Sequence, residues 1–308
     1  MLTVLFAAPD LWDEYRDVLP KALAQAGLDA QLVREAPPET VDYIIYAPSA
    51  PLQDFTPFTR AKAVLSLWAG VERIVGNATL TQPLCRMVDP SLTESMVEWV
   101  VGHTLRHHLG MDAHIVNPDH NWTPVVPPLA RNRPVTVLGL GALGSACATA
   151  LTGLNFPVTG WSRTARDVPG VRCLSGGDGL RAALTGAQIV VTLLPRTPDT
   201  ENTLNAETLA LPARGAVVLN PGRGPLIDDE ALLAALNTGQ IGHATLDVFR
   251  VEPLPAAHAF WAHPRVTVTP HIAADTRAES ASGVIAENIR RAEAGAPLLH
   301  LVNRRTGY

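Results

Sequence analysis

Val135-Thr-Val-Leu-Gly-Leu-Gly-Ala-Leu-Gly144 decides the fold of this chain. Four apolar, β-prone residues run straight into Gly139, Gly141 and Gly144, which have G-x-G-x-x-G spacing. A strand, a tight turn and a helix are expected in that order. The first glycine permits the turn, the second allows a pyrophosphate to approach the backbone, and the third lets the helix pack against the strand. Free N–H groups and the positive end of the helix dipole would then face the phosphates. The motif alone is weak, but an apolar strand before it and a helix after it supply the context that dinucleotide binding needs.

Working outward, strands are expected at residues 158–161, 189–194, 216–219, 244–248 and 266–269. A helix from about residue 144 to 154 follows the turn. Another is capped by Asp228 and stopped by Gly239. Upstream, strands at residues 4–8, 43–47, 64–68 and 86–88 alternate with a helix over 11–27. Alternation of this kind predicts parallel sheets covered by helices. From Ser91 a long helix runs to about Gly110, with Ser91 or Thr93 as its cap. A proline-rich arm over residues 117–134 follows, and the last helix spans about 275–294.

The chain has 308 residues, 47% of them hydrophobic, which is enough for two cores. A net charge of −5 with dispersed basic residues argues against a nucleic-acid surface. Cys85, Cys147 and Cys173 are too scattered for a metal site or a disulfide framework, which fits a reducing cytoplasm. The apolar start lacks a basic n-region and reads as a strand rather than a signal peptide. No stretch is long enough to span a membrane. His103 and His107 have i, i+4 spacing but no carboxylate at a matching interval, so no metal site is assigned.

The second strand of the glycine-turn series ends in Trp161-Ser-Arg163, where an NAD site would place Asp or Glu. Ser162 and Arg163 instead suit a 2′-phosphate, so NADP(H) is favoured and NAD(H) remains possible. Three later strands end in chemistry-bearing loops: Asn220-Pro-Gly-Arg-Gly224 with Arg223, the segment after Leu246-Asp-Val-Phe249 with Glu252, and Thr269-Pro-His271. Glycines beside Arg223 would allow an unusual backbone that aims the guanidinium. A carboxylate on one imidazole nitrogen fixes the tautomer and favours protonation, making His271 a general acid for a carbonyl oxygen.

These motifs, with Glu252-Pro-Leu254 and His271-Ile-Ala-Ala274, resemble the signature of the D-isomer-specific 2-hydroxyacid dehydrogenases over nearly the whole chain. Trp161-Ser-Arg163, the short segment from Glu252 to His271 and the ending Val302-Asn-Arg-Arg-Thr-Gly-Tyr308 resemble the glyoxylate/hydroxypyruvate reductase A group. The resemblance implies an α/β fold of two Rossmann-like or flavodoxin-like parallel-sheet domains with the substrate cleft between them. Residues 1–93 and 277–308 would form the substrate domain. Residues 94–276 would form the dinucleotide domain, with hinges near Thr93 and Thr276. It also implies a homodimer joined through the long helix and arm.

By the same resemblance Arg223 binds the substrate carboxylate, His271 gives the proton and Glu252 supports it. Trp68, Ala69, Gly70 and Val71 match the substrate loop, and Asp247 a residue near the nicotinamide amide. Leu143, Pro195, Thr197, Pro221 and His271 match positions at the cofactor, and Arg163 the phosphate ligand. Trp68 departs from the usual small residue, Glu72 from the usual Asp, and Pro221 from a frequent Ala. The expected activity is cytoplasmic reduction of glyoxylate or hydroxypyruvate by NADPH. Alternatives are the same chemistry on a larger keto acid such as phenylpyruvate, or a dinucleotide-sensing interaction protein of the same fold.

Overall fold

The computed structural model of the protein describes residues 1–115 and 117–304. In chain order the elements are β1 (Leu2–Ala7), α1 (Trp12–Tyr15), α2 (Val18–Gln25), β2 (Ala30–Val33), β3 (Tyr43–Tyr46), β4 (Ala63–Ser66) and β5 (Leu84–Cys85). Then come α3 (Pro90–Leu109), α4 (Asp112–Ile115), β6 (Val135–Leu138), α5 (Ala142–Gly153), β7 (Val158–Ser162), β8 (Arg172–Ser175), α6 (Gly176–Leu184) and β9 (Ile189–Thr192). The chain ends with β10 (Ala216–Asn220), α7 (Asp229–Thr238), β11 (Ile241–Leu246), α8 (Ala259–Ala262), β12 (Val266–Val268) and α9 (Ala278–Glu293).

The chain divides into two compact units. One holds Met1–Leu92 and Asp275–Tyr308, and the other holds Thr93–Ala274. The first carries a parallel five-stranded sheet in the order β2-β1-β3-β4-β5, the flavodoxin-like arrangement. Its central strands are buried on both faces, so they read as continuous apolar runs such as Tyr43-Ile-Ile-Tyr46 rather than as alternating ones. Val4, Phe6, Tyr43 and Ile45 meet Leu19, Leu23, Ile285 and Ile289 of α2 and α9. Leu5, Ile44, Tyr46 and Val64 point the other way, onto Phe55, Ile74 and Leu80.

The second unit carries a parallel seven-stranded sheet, β12-β11-β10-β9-β6-β7-β8. Counted from β6, six of these strands have the 3-2-1-4-5-6 order of a dinucleotide fold, with β12 added at the edge. One face packs on α6 and α7 through Ala183, Leu184, Leu232 and Leu236. The other packs on α3 and α5 through Met96, Val100, Cys147, Ala148 and Leu151. The direction of strand succession reverses between β6 and β9, which brings the carboxyl ends of those strands to the place where such sheets bind ligands.

Several expectations are corrected. The helix expected over residues 11–27 is two pieces with a break after Tyr15, and Pro20 falls in the first turn of α2. A proline there removes an N–H that has no intrahelical partner anyway; in one continuous helix it would clash with the preceding turn. The strand expected at 86–88 is β5, two residues earlier. β2 and β8 were not expected. β8 lies at an edge with only partly buried or exposed residues, so it lacks an apolar run. α6 was not expected either, because glycines fill its first turn.

The long helix begins at Pro90, and Asp89, not Ser91 or Thr93, accepts the Ser91 backbone N–H at 3.2 Å. α5 starts at Ala142, two residues before the expected point, and α9 at Ala278, later than expected. Asp228 and Gly239 bound α7 as expected. Asp228 accepts from the Glu230 and Ala231 N–H groups, and Gly239 takes φ +73°. Residues 305–308 of the C-terminal motif lie outside the described residues. Among the described residues no helix is long and apolar enough to cross a membrane.

Candidate functional site

The glycine turn is built by exclusion of side chains. Gly139 has φ +107°, and a Cβ there would lie 2.5 Å from the Leu193 carbonyl oxygen. At Gly144 a Cβ would lie 1.7 Å from the carbonyl oxygen of Gly139 itself. The third glycine therefore accommodates the first, in addition to letting helix approach strand. Gly141 differs: it caps α5 with extended backbone, and nothing lies within 4 Å of its Cβ position. No side chain caps α5 and no acidic residue is in its first turn. The turn thus offers free space beside a helix N-terminus, which fits a pyrophosphate. Leu143 leans on the apolar core beneath.

Beside it, Ser162 is buried and donates its hydroxyl to the Thr164 carbonyl at 2.7 Å, so it shapes the turn after β7. Arg163 is exposed at that turn. Pro195 and Thr197 lie in the loop after β9, closed by Thr200, whose hydroxyl donates to Pro195 O at 2.6 Å and accepts from Thr197 N–H at 2.8 Å. Pro221 is buried just beyond β10.

β10, β11 and β12 are consecutive in the sheet, so the loops carrying Arg223, Glu252 and His271 leave the same edge of it. Glu252 receives the Phe249 backbone N–H on Oε1 at 2.8 Å, and its Oε2 lies 2.8 Å from His271 Nδ1. This leaves Nε2 as the ring nitrogen outside the pair. Both side chains are partly open, His271 at 50% and Glu252 at 35%.

His271 has φ +56°, a left-handed conformation rare for a residue with a side chain. Buried Asp247 holds it there. Its carboxylate accepts from the Thr269 hydroxyl and from the Ile272 and Ala273 N–H groups, and its carbonyl accepts the His271 N–H at 2.8 Å.

Arg223 is extended, with φ −146° and ψ 139°, and its Nη1 donates to Gly222 O at 2.7 Å. The flanking glycines do not supply the unusual dihedrals expected of them. They supply room: a Cβ on Gly222 would lie 2.6 Å from Thr192 O, and one on Gly224 would lie 2.0 Å from the Phe249 carbonyl carbon. Asn220, which the sequence reading passed over, is 1% exposed and bonds across the loop to Gly222 N–H and Arg223 O. The Asn-Pro-Gly turn was the only available signal for it.

In the other unit, Trp68, Ala69, Gly70 and Val71 follow the carboxyl end of β4. Ser66 Oγ accepts the Trp68 N–H at 3.1 Å, and Trp68 O accepts the Met87 N–H at 3.0 Å.

The histidines of α3 gain a partner that spacing could not reveal. His107, Asp112 and His243 bring ligand atoms within 4.8 Å of one another. The cation in this cluster is already present: Arg106 grips Asp112 through Nε and Nη2, at 2.6 and 2.9 Å. The imidazoles donate to or accept from Thr245 and Thr267. Burial lowers His107 to about 3 and His243 to about 4, so both are neutral in the folded protein at ordinary pH.

Comparison with known proteins identifies the family. The family model for the NAD binding domain of the D-isomer specific 2-hydroxyacid dehydrogenases matches residues 101–273. A glyoxylate/hydroxypyruvate reductase A of Serratia proteamaculans is 39% identical over 257 residues, covering 81% of this chain and 82% of its own. A D-isomer specific 2-hydroxyacid dehydrogenase of Xanthobacter autotrophicus Py2, solved with NADPH and MES, superposes with a TM-score of 0.92 at 40% identity, covering 100% and 99% of the two chains. An NADPH-dependent glyoxylate/hydroxypyruvate reductase of Sinorhizobium meliloti, solved with NADP and sulfate, gives 0.85 at 33% identity, with 100% of each covered. The chain belongs to the D-isomer-specific 2-hydroxyacid dehydrogenase family.

Proposed function

We propose that the protein reduces a small 2-keto acid, glyoxylate or hydroxypyruvate, to the 2-hydroxy acid with NADPH. The observation that carries this reading is the 2.8 Å pair between His271 and Glu252, on loops leaving β12 and β11, in the same run of three neighbouring strands as β10, which leads to Arg223. NADPH, when bound, supplies the hydride. Gly139, Gly141 and Gly144 hold its pyrophosphate, with Leu143, Pro195, Thr197 and Pro221 along the dinucleotide and Arg163 at the 2′-phosphate. The Ser162 hydroxyl supports Arg163 by shaping its turn.

Arg223 pairs with the substrate carboxylate and stabilises charge developing on the keto oxygen. Glu252 holds His271 through Nδ1, so Nε2 delivers the proton to that oxygen. The buried Asp247 keeps the imidazole in its strained backbone position. Bearing both the proton donor and the carboxylate clamp on short loops from one sheet keeps their spacing fixed, which is what orientation catalysis needs.

Exposed Ile115, Trp122, Val125, Val126 and Leu129 near the end of the helical region and in the following arm support a homodimer through this segment. The three free cysteines support a cytoplasmic location for this activity.

The test is NADPH oxidation followed by absorbance over a panel of keto acids, repeated with NADH. Glyoxylate and hydroxypyruvate should exceed phenylpyruvate, and NADPH should exceed NADH. His271→Ala should lower kcat by about 10²–10⁴ while NADPH still binds. Full activity in that variant would end the assignment. A phenylpyruvate preference that Trp68→Ala abolishes would move the substrate to larger acids.

A further inference from the structure

We propose that Thr192 and Asn220 are positioning residues for Arg223, and that Thr192 locks the arginine loop to the dinucleotide turn. The inference rests on the reading of Arg223 as the substrate-carboxylate ligand.

Thr192 is the last residue of β9 and Asn220 the last of β10, and they are 0% and 1% exposed. The Thr192 hydroxyl donates to Asn220 Oδ1 at 2.6 Å. The same oxygen accepts the Gly222 N–H at 3.2 Å, and Asn220 Nδ2 donates to the Arg223 carbonyl at 3.1 Å. Two donors on one side of the amide and an acceptor on the other leave a single orientation for it. That orientation pins the backbone from which the Arg223 side chain extends.

The contacts continue in both directions. The Thr192 carbonyl lies 2.6 Å from where a Gly222 Cβ would stand, so the arginine loop is pressed onto the end of β9. The next residue, Leu193, donates its N–H to Leu138 O at 2.7 Å, and its carbonyl crowds Gly139. One dipeptide therefore braces both the glycine turn and the arginine loop. On the far side Asn220 O accepts the Asp247 N–H at 3.0 Å, and Asp247 O accepts the His271 N–H. Removing the Thr192 hydroxyl leaves a buried amide oxygen with one long hydrogen bond, which the loop can improve only by moving.

A strand-end hydrogen bond that serves stability alone would give a different result. Thr192→Val removes the hydroxyl at nearly constant shape, and Thr192→Ser keeps it. In the intact chain, Thr192→Val should raise the keto-acid KM and lower kcat, with kcat/KM falling on the order of 10- to 100-fold. NADPH affinity, read by fluorescence titration, should stay within about twofold, and Thr192→Ser should behave as the parent. In an Arg223→Lys background Thr192→Val should cost less than about twofold more, because the group it positions is gone.

Parent-like kinetics in Thr192→Val overturns the proposal, as does an equal cost in both backgrounds, or a Thr192→Ser variant as impaired as Thr192→Val. Should Thr192→Val fail to fold, Asn220→Asp decides. It keeps the acceptor oxygen, removes the donor to Arg223 O, and should show the same rise in KM with NADPH affinity intact; unchanged kinetics overturns the proposal. If Arg223→Lys itself leaves keto-acid kinetics unchanged, the underlying reading of Arg223 fails first.

Discussion

The glycine turn and the arginine–histidine loops lie at ends of the same seven-stranded sheet and are held by opposite means. The turn is held by what is missing. Gly139 and Gly144 leave no space for a Cβ, and the backbone alone defines the surface. The loops are held by what is buried: Asn220 and Asp247 fold polar side chains inward and bond the backbone around Arg223 and His271. A phosphate is recognised by N–H groups that need close approach, so side chains are excluded. An imidazole and a guanidinium are side chains themselves, and their placement needs a second layer of hydrogen bonds to fix it.

The sharpest way to break this contrast is to add one carbon atom. Gly144→Ala puts a Cβ 1.7 Å from Gly139 O, so the turn must open. NADPH binding by fluorescence should be lost and the melting temperature should fall. Gly141→Ala meets nothing within 4 Å. It should keep the parent melting temperature and still bind NADPH more weakly, because the added methyl enters the space assigned to the pyrophosphate. Equal affinity in Gly141→Ala and parent would remove that assignment.

On the loop side, Glu252→Gln retains an acceptor for the Phe249 N–H but withdraws the charge from His271. kcat should fall on the order of 10- to 100-fold with little change in NADPH affinity. A full rate would show that the carboxylate charge is dispensable.

Away from both regions, the neutral histidines of the second unit set a pH dependence. Burial depresses His107 to about 3 and His243 to about 4, against about 6.5 in an unfolded chain. Between those values the unfolded chain binds more protons than the folded one. Stability therefore rises with pH through this window and is lost as pH falls below about 6.5. Thermal melts from about pH 7 to about pH 5 should show a falling midpoint, and His243→Asn should flatten that slope. An unchanged slope would place the proton uptake elsewhere.

The smallest effect is expected at Asp228, which caps α7 outside either region. Asp228→Ala should cost about 1 kcal/mol in stability and leave kcat/KM untouched. An activity loss there would show that the loops are not mechanically separate from α7.

How much could be read in advance differed by element. The apolar strand before Gly139, the Asp228–Gly239 bounded helix and the buried run at Tyr43 were legible because each carries a local signal: a period, a cap or a turn residue. The pieces missed were those with none. β2 and β8 are edge strands and α6 opens on glycines; the break between α1 and α2 is the exception, since Pro20 did signal it within an otherwise helical run.

At the site, Arg223, Glu252 and His271 stood out because each follows an apolar strand and each has a chemistry of its own. Thr192 and Asn220 did not, since a threonine or asparagine at the end of a strand is commonplace. The pairing of His107 with His243 could not be read from i, i+4 spacing, because its second member is 136 positions away.

By itself the chain marked the strands that carry an apolar run, the place of the glycine turn and the side chains able to do acid and anion chemistry. Those properties depend on local backbone preference and on residue type. Only the tertiary structure decided that Gly222 and Gly224 provide room rather than dihedral freedom, that Asp247 faces inward, and that Thr192 reaches Asn220. Each of those depends on which strands become neighbours, and strand order is settled by packing across the whole sheet rather than by any one segment.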